Sequence, residues 1–151
     1  MWVILPKKSK GLEDIKFAII CVDDDPNILQ MLNFQLEKHI DTQITLLEYF
    51  TNPNESISSF NELIELNIHT LLLIVDFQMP EMNGAQLIRE LKKIKPDLNC
   101  VMLSGQANTI QVNELKTNNL LHSFINKPWS DEKLLEVISP ILSEFSILCK
   151  K

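Results

Sequence analysis

The feature that most constrains the fold is an alternation of strand-length apolar runs with stretches of helical periodicity. The runs lie at about 17–22, 43–50, 71–75, 100–103 and 123–125. Strands that alternate with helices in this way indicate a parallel sheet covered by helices on both faces. Because crossovers between parallel strands are right-handed, few arrangements remain. We therefore predict an α/β fold with a doubly wound five-stranded parallel sheet of order 2-1-3-4-5.

Helix start signals support the same division of the chain. Asp25 followed by Pro26 predicts a helix cap and a first helical position directly after the first strand. Further helices are predicted over 56–66, 85–94 and 108–116. The last helix is expected to begin near Asp131, with Ser130 as its cap.

Length and composition favour one ordinary domain. The chain has 151 residues, of which 45% are hydrophobic and 23% charged, and this suits a single compact core. No apolar stretch is long enough to cross a bilayer, and the opening run is too short for a signal-peptide core. We expect a cytoplasmic protein without membrane contact.

Charge and cysteine content exclude several classes of site. The formal net charge is −6, and the basic residues form no long stripe, which disfavours direct nucleic-acid binding. The three cysteines are scattered, so neither a disulfide framework nor a zinc site is indicated. Cys21 and Cys100 lie inside apolar runs and are expected to be buried, inert thiols.

Polar residues stand where four of the predicted strands end. Asp23, Asp24 and Asp25 follow the first strand, Asp76 the third, Ser104 the fourth, and Asn126-Lys127 the fifth. In doubly wound sheets the carboxyl ends of the strands form the functional rim. Carboxylates brought together there require a cation, and an oxygen-only ligand set selects Mg²⁺, for which Mn²⁺ may substitute. A carboxylate beside such an ion can accept a phosphoryl group as an acyl phosphate.

Four sequence blocks resemble the signatures of response-regulator receiver domains. They are Val22-Asp23-Asp24-Asp25-Pro26, Asp76-Phe77-Gln78-Met79-Pro80-Glu81-Met82-Asn83-Gly84, Leu103-Ser104-Gly105 and Phe124-Ile125-Asn126-Lys127-Pro128-Trp129. The resemblance covers about Lys16 to Ser143 and implies a flavodoxin-like receiver fold. It divides the chain into an N-terminal extension (1–15), a receiver (16–143) and a C-terminal helical extension (144–151).

The resemblance implies a phosphoryl-acceptor and metal site. Asp76 would accept the phosphoryl group. Asp24 would be the principal metal carboxylate, with Asp23 acting beside it through water. The backbone carbonyl of Gln78 would be the third protein ligand.

It also implies a switch. Ser104 would supply the hydroxyl that binds the phosphoryl group, Lys127 the phosphate-binding ammonium, and Phe124 the aromatic ring that turns inward. The Lys127–Pro128 peptide would be cis. Gln78 and Gln106 would tune the access of water to the acyl phosphate.

The function implied is that of a signalling switch and not of a turnover enzyme. A sensor histidine kinase or histidine phosphotransfer protein would donate the phosphoryl group. The changed face would involve the fourth helix, fifth strand and last helix, and would act on a downstream protein or output domain.

Two alternatives remain open: a magnesium-dependent phosphohydrolase with an aspartate nucleophile, and a pseudo-receiver that binds partners without phosphorylation. Gln78 stands where such hydrolases usually carry a second aspartate, which weighs against the first.

Three further features are not explained by the common pattern. Residues 1–15 could form a tail, a docking arm or an extra strand. Pro140 should kink or restart the last helix, and an apolar stripe continues from Ile138 to Leu148. That stripe could support a homodimer or begin a linker to an output domain. Gly84 is expected to let the backbone turn after the acceptor loop.

Overall fold

The computed structural model describes residues 2–4, 12–105 and 109–149. The six strands are β1 (Trp2–Ile4), β2 (Phe17–Val22), β3 (Thr45–Phe50), β4 (His69–Asp76), β5 (Asn99–Ser104) and β6 (Ser123–Asn126). The five α-helices are α1 (Pro26–His39), α2 (Pro53–Glu65), α3 (Gly84–Ile94), α4 (Thr109–Thr117) and α5 (Asp131–Leu142).

The strands form one sheet of order β1-β3-β2-β4-β5-β6. All pairs from β3 to β6 are parallel, so these five strands have the predicted 2-1-3-4-5 order. The N-terminal extension adds a sixth strand, because β1 pairs antiparallel with β3 at the sheet edge. Of the three forms considered for residues 1–15, the extra strand is the one that residues 2–4 adopt.

Each face of the sheet carries its own apolar core. The core beneath α2, α3 and α4 includes Val75 and Phe60, and the core beneath α1 and α5 includes Leu32 and Ile138. The thiols of Cys21 and Cys100 are buried, as predicted. No α-helix within the described ranges is both long and apolar enough to span a membrane.

Side-chain caps set the starts of the helices. Asp25 accepts a hydrogen bond from the Asn27 amide, and Ser130 caps α5, as predicted. Helix α2 begins three residues earlier than predicted, because Asn52 caps it and Pro53 fits its first turn. These caps fix the positions at which the chain leaves each strand end, and thereby shape the rim of the sheet.

The C-terminal residues differ from the predicted helical extension. Helix α5 runs through Pro140 and ends at Leu142, a short 3₁₀ turn follows, and Ser146 adopts a left-handed conformation at φ 57°. The chain then folds back, so that Ile147 is buried and Leu148 bridges Ile40. The apolar stripe is therefore covered by the chain's own core, and it no longer supplies a reason to expect a dimer.

Candidate functional site

Three carboxylates meet at the carboxyl ends of neighbouring strands. Asp23 and Asp24 follow β2, and Asp76 is the last residue of β4. One oxygen from each lies within 4.8 Å of the others. Asp23 is only 1% exposed and Asp76 6%, while Asp24 is exposed. The structure thus brings together the acidic residues that the sequence placed at separate strand ends.

Lys127 joins two of these carboxylates. Its Nζ donates to Asp23 Oδ2 at 2.8 Å and to Asp76 Oδ1 at 3.1 Å. The lysine reaches them from the loop after β6, where the Lys127–Pro128 peptide is cis, as predicted. The sequence indicated that this lysine lies near the site, but not that it forms ion pairs with both acids.

Backbone contacts hold Asp23 from both sides. Its Oδ1 accepts a hydrogen bond from the Asp25 amide at 2.9 Å, and its own amide donates to the Phe50 carbonyl at 3.1 Å. Asp25 therefore has two roles: its side chain caps α1 and its amide orients Asp23. The acidic residues 23–25 therefore form a hydrogen-bonded turn as well as a cluster of negative charge.

Gly84 lies directly against the backbone of Asp76. Its amide donates to the Phe77 carbonyl at 2.9 Å, and a Cβ at this position would lie 2.4 Å from the Asp76 carbonyl oxygen. Neither described glycine has a positive φ. Gly84 is therefore needed for close approach and not for an unusual turn, which corrects the reason given from sequence.

The electrostatics of the site leave negative charge poorly compensated. Burial raises the pKa of the Asp23 carboxyl to about 6, against the opposing effects of Lys127 and the Asp25 amide. Burial also raises the pKa of Asp76. Burial lowers the pKa of Lys127, but its hydrogen bonds to Asp23 and Asp76 outweigh this, so that the pKa is raised overall. Within the described residues, the Lys127 ammonium contacts two of the three clustered carboxylates. A second cation would favour the ionised forms of all three.

The remaining residues of the predicted set lie around this cluster. Ser104 is buried at the end of β5, and its carbonyl accepts the Lys127 amide at 3.0 Å. Phe124 is half-buried and packs against the core beneath α3 and α4. Gln78 is exposed two residues after Asp76. Gln106 lies outside the described residues.

A hydrogen bond from Trp129 to Gln35 was not anticipated from the sequence. The indole Nε1 donates to Gln35 Oε1 at 2.8 Å, which ties the loop that carries Lys127 to helix α1. Two polar residues separated so widely in sequence give no local signal of such a contact. Because Trp129 is two positions after Lys127 in the sequence, this hydrogen bond helps to fix the loop that carries the lysine.

Residues 19–139 match the family model described as the response regulator receiver domain. The chain belongs to this receiver family. Receivers are signalling modules of two-component systems, and the parallel sheet and acidic rim found here are those of a receiver. This membership favours the receiver hypothesis over the phosphohydrolase alternative.

Individual relatives are similar over most of the receiver. The transcriptional regulatory protein GlrR of Escherichia coli K12 is 28% identical over 127 residues, which cover 83% of this chain but only 26% of GlrR. The chain thus spans about a quarter of that relative. A CheY-like receiver from Methanospirillum hungatei JF-1 is 26% identical, with a TM-score of 0.70 over 86% of this chain and 95% of that one.

A third similarity is to a solved complex. The CheX–CheY–BeF₃–Mg²⁺ complex from Borrelia burgdorferi matches at a TM-score of 0.70 and 18% identity, over 85% of this chain and 90% of that one. At this identity the match shows the fold alone. The fold is accordingly shared with proteins that differ widely in sequence.

Proposed function

We propose that the protein is a phosphorylation-controlled switch that accepts a phosphoryl group on Asp76. The single observation that carries this proposal is the contact of Lys127 with both Asp23 and Asp76. It supports the assignment of Asp76 as the nucleophile, Asp23 as a metal carboxylate and Lys127 as the phosphate-binding ammonium, because the three side chains lie in one cluster. The receiver domains to which this chain is similar supply the functional context.

The acidic cluster has the donor chemistry of a magnesium site. Its ligand atoms are carboxylate oxygens within 4.8 Å of one another, and hard oxygen donors suit Mg²⁺. We assign Asp24 and Asp23 as the metal carboxylates, with Asp76 and the Gln78 carbonyl completing the protein ligands. The ion would neutralise charge on the phosphoryl oxygens during transfer.

The reaction is a displacement at phosphorus. An Asp76 carboxylate oxygen attacks the phosphorus of a phosphohistidine or of a small acyl phosphate. The new bond from the Asp76 oxygen to phosphorus forms as the bond to the donor breaks. From phosphohistidine the imidazole leaves and takes up a proton from solvent, and from an acyl phosphate the carboxylate anion leaves. Lys127 then binds a phosphoryl oxygen in place of its contacts with the Asp23 and Asp76 carboxylates.

The attached phosphoryl group would change the surface of the protein. Ser104 would hydrogen-bond it, and inward rotation of Phe124 would alter the face formed by α4, β6 and α5. We propose that a cytoplasmic histidine kinase or histidine phosphotransfer protein donates the phosphoryl group. The changed face would then act on a downstream protein or output domain. The receiver domain is assigned to 16–143, with residues 1–15 and 144–151 as extensions.

Incubation with acetyl phosphate tests the proposal. Intact-mass measurement should show one added phosphoryl group when Mg²⁺ is present, and no added mass when the metal is chelated before the phosphodonor is added. Asp76→Asn should remove it, whereas Asp97→Asn, at an exposed loop position, should not. A wild-type protein that gains no mass with Mg²⁺ would support the pseudo-receiver alternative instead.

A further inference from the structure

Glu48 is a buried carboxylate outside the proposed phosphoryl site. It lies on β3 and is only 3% exposed. Ser59 of α2 donates a hydrogen bond to its Oε2 at 2.7 Å, while its Oε1 has no hydrogen-bond partner within the described part of the chain. A buried ionised carboxylate with one unpaired oxygen is costly, and the neutral form reduces that cost.

Among the described residues, the groups that act on Glu48 do not fully offset the cost of burying its charge. Helix α2 contributes Ser59 and the carboxylate of Glu62, which repels it. The adjoining strands place Ile20 of β2 and Val3 of β1 opposite Glu48, and neither titrates. Burial, together with Glu62, raises the pKa of Glu48 above its ordinary value despite the Ser59 hydrogen bond. The described surroundings therefore favour the protonated acid.

Strand β1 is the edge element next to Glu48, because Val3 is registered directly opposite it on β3. It has three residues and pairs on one side only, with β3. Helix α2, in contrast, carries Phe60 and Leu63 in the core, both almost fully buried. Short edge elements open at lower free energy than elements that carry core side chains. Relief of the buried charge would therefore come from release of β1.

We propose that β1 docks on the sheet when Glu48 is protonated and is released when Glu48 ionises. The N-terminal strand is then a proton-sensitive cover of the sheet edge. Its release would free the outer hydrogen-bonding groups of β3, which are otherwise paired with residues 2–4. This device is independent of phosphorylation at Asp76, since it depends on a different strand edge and a different carboxylate.

The sign of the pH effect follows from linkage. If docking raises the pKa of Glu48, the docked state holds its proton to a higher pH than the released state does. Docking is then strongest below the ordinary carboxyl pKa and weakens as the pH rises. Each unit of difference in the pKa of Glu48 between the two states changes the docking constant about tenfold.

Amide NMR of the full chain between about pH 5 and about pH 9 tests this proposal across the range above the ordinary carboxyl pKa. Docking is measured by NOEs between residues 2–4 and 47–49. In the wild type these should weaken as the pH rises. In Glu48→Gln, which keeps the shape but not the charge, they should persist throughout. Glu65→Gln removes an exposed carboxylate of α2 and should behave as the wild type does.

Ser59→Ala provides a second test that does not change Glu48 itself. It removes the hydrogen bond that favours the ionised form. Water replaces this bond when β1 is released, but no described group replaces it in the docked state, so release should become more complete at a given high pH. NOEs that are independent of pH in the wild type, or that weaken on acidification, would overturn the proposal. An unchanged titration in Ser59→Ala would also overturn it.

Discussion

In the described part of the chain, two regions bury a carboxylate, and they differ in what compensates its charge. At the phosphoryl site, Asp23 and Asp76 share the ammonium of Lys127. Beneath α2, Glu48 has one hydroxyl donor and a repelling neighbour, Glu62. The difference shows that burial alone does not mark a binding site. A buried carboxylate is available for chemistry where a cation also keeps it ionised.

Removal of the Lys127 ammonium should have the largest effect on phosphoryl acceptance. Lys127→Met leaves the carboxylates but removes the group that holds the phosphoryl oxygens, and we expect phosphoryl acceptance to slow about a hundredfold, as loss of one transition-state donor does. The rate of mass increase with acetyl phosphate measures this. Lys133→Met removes an exposed lysine of α5 and should leave the rate unchanged. Equal rates of phosphoryl acceptance in the two variants would show that the Lys127 ammonium is not what makes the phosphoryl site differ from the Glu48 region.

The pH dependence of stability should separate the two regions. Because Asp23 has its pKa raised from 3.8 to about 6, the folded state binds more protons than the unfolded state in that range. Without divalent metal the free energy of unfolding should therefore fall as the pH rises, by at most about 3 kcal/mol from Asp23. Urea unfolding at several pH values measures the slope.

Magnesium should remove only part of that slope. The ion favours the ionised forms of Asp23 and Asp76, so their contribution should disappear. The contribution of Glu48 should remain with Mg²⁺ and be absent in Glu48→Gln. A slope that is the same with and without Mg²⁺ would contradict the distinction between the two regions.

Gly84→Ala tests the close approach of the start of α3 to the backbone of Asp76. The added Cβ would meet the Asp76 carbonyl oxygen at 2.4 Å, so we expect a loss of about 1–3 kcal/mol of stability and slower phosphoryl acceptance. Gly105→Ala is the matched control, because the nearest atom to its Cβ would be 4.0 Å away. Similar losses in both variants would argue against the steric role of Gly84.

The smallest expected effect lies at the repelling neighbour of Glu48. Glu62→Gln removes an exposed negative charge that acts on Glu48, and should stabilise the protein at neutral pH by less than about 1 kcal/mol. Glu65→Gln should leave the free energy of unfolding nearly unchanged. A destabilised Glu62→Gln protein would mean that Glu62 has a favourable contact that outweighs its repulsion of Glu48.

The sequence predicted the parallel sheet and the acidic rim because both follow from local patterns. Apolar runs identified β2 and β4, and Asp23 and Asp76 stand at their ends. In doubly wound sheets those ends share one rim, so the convergence of Asp23 and Asp76 follows from the sequence pattern. The cap of α5 by Ser130 was predicted for the same reason, since it depends on neighbouring residues.

Other features depend on contacts distant in sequence and could not be predicted. The reach of Lys127 to Asp23 depends on how the loop after β6 crosses the rim. The fold-back of Ile147 replaces a helix because its side chain is buried in the core beneath α1 and α5. Glu48 is a single charge in an apolar strand, and only the placement of β1 and α2 shows that it is buried.

The central claim is that Asp76 is the residue that becomes phosphorylated. Borohydride reduction of the acetyl phosphate product converts an acyl phosphate into homoserine, and peptide mass spectrometry then locates the modified position. We predict homoserine at position 76, formed only when Mg²⁺ was present during phosphorylation. Modification at Asp23 or Asp24 instead, or none at position 76, would contradict the account.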